Sequence, residues 1–162
     1  MRTKFVLTLL LTSFMLFAQK KYEYYGAVML NGNVKEAIPY RLVFTETKGV
    51  INGYSVTDLG GAHETKNNIK GTYNDATKEF IFKEEGVLYT KSPVSDDMFC
   101  FINFTGKVKL VNKKSNLEGK FKGLFKNRQK CIDGTMILIG SVGLYEELEK
   151  ANKKLQKTNL LI

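Results

Sequence analysis

The sequence predicts an all-β fold: a small antiparallel up-and-down barrel or strongly curled sheet of about 8–9 strands, with a C-terminal α-helix. Three observations carry this. Apolar residues alternate with polar ones over long stretches, the period of a half-buried strand. Glycines recur on the apolar parity of those stretches. From Leu144 onward the period changes to that of a helix.

The alternation is clearest in "CFINFTGKVKL". Cys100, Ile102, Phe104, Gly106, Val108 and Leu110 share one face, and Phe101, Asn103, Thr105, Lys107 and Lys109 share the other. In "LEGKFKGLF", Leu117, Gly119, Phe121, Gly123 and Phe125 oppose Glu118, Lys120, Lys122 and Leu124. The polar stretch "NKKSN" between them predicts a hairpin. Further strands are expected over 24–30, 40–45, 50–56, 67–73, 79–83, 87–90 and 132–139. The turn signals "NGN", "TKG", "LGG", "NDAT", "EEG", "KSPVSDD" and "NRQK" separate the strands.

Glycine ordinarily weakens a strand. Here it repeats between apolar neighbours in Tyr24-Gly26-Val28, Ile69-Gly71-Tyr73 and Ile132-Gly134-Met136, with a weaker copy at Gly53. An inner-face glycine lets a strand bend and leaves room for a large aromatic ring, so the pattern predicts curvature and closure. A flat sandwich with glycines at bulges is the competing architecture.

The first 18 residues read as a secretory signal. Arg2 and Lys4 precede the uncharged run "FVLTLLLTSFMLF", and Ala18 offers a small residue for cleavage. Thirteen uncharged residues fall short of the roughly 20 that a membrane-spanning helix needs, and a buried N-terminal helix is the alternative. The expected domains are therefore a signal peptide at 1–18, an antiparallel β domain at 19–142 and an amphipathic helix at 143–162. The Lys-, Asn- and Phe-rich composition resembles that of exported proteins of AT-rich bacteria. The expected location is the periplasm, the outer-membrane periphery or the extracellular space.

In such a compartment Cys100 and Cys131 are expected to form one disulfide, two separate buried thiols being the alternative. If their strands flank a third, they stand two strand spacings apart, about 9.6 Å. That exceeds the reach of a disulfide, so the bridge is expected at the rim, near Lys126.

In the tail, Leu144, Leu148, Ala151 and Leu155 make one helical stripe, with Glu146, Glu147 and Glu149 leading and Lys153, Lys154 and Lys157 closing. This helix, over 144–159, is expected to cap a barrel mouth or to dock a partner.

The sequence holds no constellation for catalysis. His63 is the one histidine, flanked by Asp58 and Glu64 at no metal-binding spacing, and it reads as a loop residue. Nucleophile-elbow, zinc-protease and phosphate-loop motifs are missing. Asp96–Asp97 and Glu84–Glu85 read as acids at turns. No enzyme activity, metal or cofactor is therefore expected.

Charge is more informative. The net charge of +9 becomes +7 once Arg2 and Lys4 are removed. Between Lys107 and Lys130 lie nine Lys or Arg and a single acid, Glu118. Strand parity points Lys107, Lys109, Lys120 and Lys122 outward together, and Lys126, Arg128 and Lys130 follow in the next turn. The expected function is that of a non-enzymatic binding or scaffold module of a bacterial cell envelope. Its basic hairpin would meet an anionic lipid, glycan or acidic protein surface. A solvated lysine face that keeps a strand soluble is the plainer reading. Only Phe101 interleaves aromatically with these lysines, so nucleic acid is not expected. A second functional reading is a carrier of a small apolar ligand lined by Tyr73, Phe104, Phe121 and Phe125; a hydrolytic enzyme is the third.

Overall fold

The computed structural model describes residues 20–31, 36–145, 150, 153, 154, 156 and 157. Eight antiparallel strands, β1 Lys21–Leu30, β2 Ala37–Thr47, β3 Val50–Thr57, β4 Thr65–Asn74, β5 Glu79–Thr90, β6 Phe101–Val111, β7 Lys114–Leu124 and β8 Lys130–Val142, follow one another around a closed barrel. β8 returns to pair with β1, so the sheet closes on itself.

Local chemistry makes the hairpins tight. Lys48 and Gly49 join β2 to β3, and Asn112 and Lys113 join β6 to β7, all four in the left-handed region. A two-residue turn of that hand matches the twist of the strands it connects. The turn expected over "NKKSN" is thus shorter, and β7 begins at Lys114.

The glycines do what their parity implies. Five aromatic residues stand directly across from a glycine on the next strand: Tyr40 from Gly26, Phe44 from Gly53, Phe82 from Gly71, Phe80 from Gly106 and Phe121 from Gly134. At Gly134 a Cβ would lie 2.5 Å from Phe121 Cε1. At Gly26, whose backbone reaches solvent, a Cβ would still point at β8, 2.9 Å from Leu138 Cα. Strands can therefore curl tightly while each ring covers the gap.

Those rings fill the interior. Tyr22 and Tyr24 stack on Phe44, which meets Phe80 at 5.0 Å; Phe80 meets Phe82, and Phe82 stacks on Phe104 at 5.3 Å. Leu42, Ile51, Ile69, Leu117, Met136 and Leu138 complete a core buried from water. At about 25 cal/mol per Å2 of apolar surface, burial of this kind is the main term favouring the fold.

Three expectations need correction. The strands expected over 79–83 and 87–90 are one strand, β5. "EEG" does not turn; Glu85 and Leu88 are extra residues at two bulges against β4, which absorb the irregularity that reads as a break. Glu84 is consequently not a turn acid but an inward-facing, buried one. Finally, no C-terminal α-helix is among the elements of the structure. Leu144, Tyr145, Lys150, Lys153, Lys154, Gln156 and Lys157 have helical backbone, while Leu148, Ala151 and Leu155 of the expected stripe lie outside the described residues. Leu144 itself is buried, and its N–H donates to the Tyr24 hydroxyl at 2.8 Å, drawing the chain across one barrel mouth. The expected signal segment, 1–18, also lies outside the described residues. No helix among the described residues is long and apolar enough to cross a membrane.

Candidate functional site

The seam between β5 and β6 differs from the rest of the barrel. It is closed by five residue pairs, from Glu79↔Lys107 to Lys83↔Asn103, where the other seams have eight to eleven. Beyond Lys83, β5 runs on to Thr90 against β4 alone, and the chain loops through residues 91–100 before β6 begins.

Glu84 stands where the strands part. Its Oε1 accepts from the Tyr40 hydroxyl at 2.8 Å and from the Ser55 hydroxyl at 2.6 Å. Its Oε2 accepts from the Ile102 N–H at 2.8 Å, replacing the ladder bond that is missing there. Burial pushes the carboxyl up, opposed by these donors and by the Asn67 amide. Burial likewise raises the Tyr40 phenol well above its ordinary value, with the Glu84 charge adding to the effect. The signal for this residue is present in the sequence: Phe80, Phe82 and Glu84 lie on one parity.

Outside the gap is a groove of about 600 Å3. Phe101, Leu124 and Phe125 give it apolar walls, all partly buried. Lys83, Lys126 and Arg128 ring it with positive charge. The β7–β8 turn that carries two of these cations is tied by Arg128 N–H to Phe125 O at 2.8 Å and Phe125 N–H to Gln129 O at 2.9 Å. The groove's acids are engaged elsewhere: Glu84 in its buried network and Glu85 with Lys70 at 2.9 Å. Asp97 lies close enough to Lys126 to feel its charge.

The seven basic residues singled out from the sequence are all exposed. Lys107 and Lys109 on β6 and Lys120 and Lys122 on β7 occupy the outer face of one hairpin, with Thr105 opposite Lys120 and Asn103 opposite Lys122. Lys126 and Arg128 project from the following turn, and Lys130 starts β8. Lys109 pairs with Glu118 at 2.7 Å and Lys130 with Asp133 at 2.5 Å. Lys107, Lys120, Lys122 and Arg128 have no ion pair among the described residues.

The four candidate lining residues do not gather. Tyr73, Phe104 and Phe121 are buried in the core, where the Phe104 ring lies over Gly106 and Gly119. Phe125 stands apart from them, at the groove.

Cys100 and Cys131 are bonded, with Cα atoms 6.1 Å apart, at the barrel end where β7 terminates. The rim position expected from strand spacing is correct, and two details allow it. A bulge between Lys122 and Leu124 sets two β8 residues, Cys131 and Ile132, against the single β7 residue Gly123. Gly123 of the intervening strand has no side chain to obstruct the sulfurs; a Cβ there would sit 3.1 Å from Cys131 Sγ and nearer still to Cys100 Sγ.

His63 is on the exposed loop between β3 and β4, where its N–H donates to Asp58 Oδ2 at 2.9 Å. No group of three or more His, Cys, Asp and Glu among the described residues is placed to hold a metal ion. No family model, curated protein or solved structure matches this chain.

Proposed function

We propose that this chain is an exported, non-enzymatic binding or scaffold module of a bacterial cell envelope, which engages an anionic surface through the outer face of β6 and β7. A disulfide-braced barrel with a packed aromatic core supports the reading of a rigid platform, and the disulfide fits an oxidising compartment. The observation that carries the proposal is the outward cluster of Lys107, Lys120 and Lys122 without ion pairs among the described residues. An excess of cations on one rigid sheet face attracts polyanions at long range, and salt weakens that attraction.

The test reverses charge at Lys107, Lys109, Lys120 and Lys122. Retention of the wild-type protein on heparin and on phosphatidylglycerol vesicles is expected at low salt, falling as salt rises. The Lys→Glu variant is expected to lose it while still folding to the native barrel, read by circular dichroism. Salt-sensitive retention that survives all four changes would overturn the proposal.

A further inference from the structure

We infer that the groove at the open β5–β6 seam is a second binding site, built for a small amphiphilic anion: an apolar body carrying one carboxylate- or sulfonate-like group. It adjoins the outer lysine face, since Asn103 of its lining stands opposite Lys122, but it does not rest on that reading.

Three features of the groove combine. Its volume, about 600 Å3, suits a ligand of modest size. Phe101, Leu124 and Phe125 form an apolar wall that is only partly covered by the protein. Lys83 and Arg128 stand at its margin with no ion pair among the described residues, and Lys126 adds a third cation.

The fold holds these groups in place before any ligand arrives. Glu84 pins Ile102 across the parted strands. The Phe125–Gln129 turn, with Arg128 in the left-handed region, fixes the backbone from which Lys126 and Arg128 extend. Preorganisation of this kind lowers the cost of binding. An apolar wall alone would take any greasy molecule. Cations beside it select an anionic one, because a neutral analogue leaves them without a partner.

A matched pair of fluorescent probes tests this. 8-Anilinonaphthalene-1-sulfonate and N-phenyl-1-naphthylamine share one aromatic body, and the sulfonate is present in the first alone. The folded wild-type protein is expected to bind the sulfonate at one site, at least about tenfold tighter than the neutral amine. Lys83→Glu combined with Arg128→Glu is expected to weaken sulfonate binding by about tenfold or more. The milder Lys83→Gln with Arg128→Gln repeats the test, should charge reversal unfold the chain. Phe125→Ala is expected to weaken both probes.

Two controls separate this site from others. Lys107→Glu with Lys120→Glu is expected to leave probe binding unchanged while reducing heparin retention, so either proposal can fail alone. Ile137→Asp disrupts the exposed apolar strip that Tyr25, Met29, Ile137 and Ile139 form on β1 and β8. It is also expected to leave probe binding unchanged. Equal affinity for the two probes, no binding of the sulfonate, indifference to the Lys83 and Arg128 changes, or loss of binding on Ile137→Asp would each overturn the inference.

Discussion

Phe121 lays its ring over Gly134, its direct partner across the β7–β8 ladder, with Cζ 2.7 Å from where a Cβ would stand. Neither residue can change alone. Gly134→Ala is expected to cost about 2 kcal/mol, because the ring and the Met29 backbone both crowd the new methyl. Gly86→Ala makes the contrast. Nothing lies within 4 Å of its added Cβ, and its φ is not in the left-handed region. That change is expected to be neutral or stabilising by up to about 1 kcal/mol. Urea unfolding of the two variants checks both.

The disulfide depends on Gly123. Gly123→Ala would place a methyl against both sulfurs. It is expected to leave free thiols at Cys100 and Cys131, detected by thiol titration of the folded protein. Cys100→Ser with Cys131→Ser is expected to cost about 3.7 kcal/mol on the chain-entropy model, read as a lower urea midpoint.

Glu84 makes stability depend on pH with a definite sign. Burial raises its folded pKa, so between the unfolded value of about 4.3 and that raised value the native state binds the extra proton. Its contribution is complete below the unfolded pKa and is lost as pH rises through the folded one. The stability of wild type relative to Glu84→Gln is therefore expected to decline with rising pH from about 4 upward. Urea unfolding in steps across pH 4–8 measures it, and a flat difference would contradict the assignment.

Truncation at the same site is a separate matter. Glu84→Ala leaves the Tyr40 hydroxyl, the Ser55 hydroxyl and the Ile102 N–H without their acceptor. A loss of about 3 kcal/mol is expected. Amide exchange at Ile102 should accelerate beyond the global change, since that bond alone bridges the opened seam at this point.

Lys109 divides stability from binding. Its pair with Glu118 is exposed, so Lys109→Ala should shift stability by less than about 1 kcal/mol. Heparin retention is expected to fall even so, since one cation leaves the outer face.

The sequence by itself determined the period of the strands, the face on which each residue lies, the curling implied by glycines at Gly71, Gly106 and Gly134, and the rim position of Cys100 and Cys131. All of these follow from local geometry, because a strand sends alternate side chains to opposite faces whatever it pairs with. Tertiary structure alone decided where pairing stops. The bulges at Glu85 and Leu88, the short β5–β6 seam, and the gathering of Lys83, Phe101, Phe125 and Arg128 depend on the register between paired strands, which no one strand's pattern fixes. Glu84 shows the boundary between the two. Its inward parity could be read from Phe80 and Phe82, but its partners Tyr40, Ser55 and Ile102 come from three other strands, and only barrel closure brings them together.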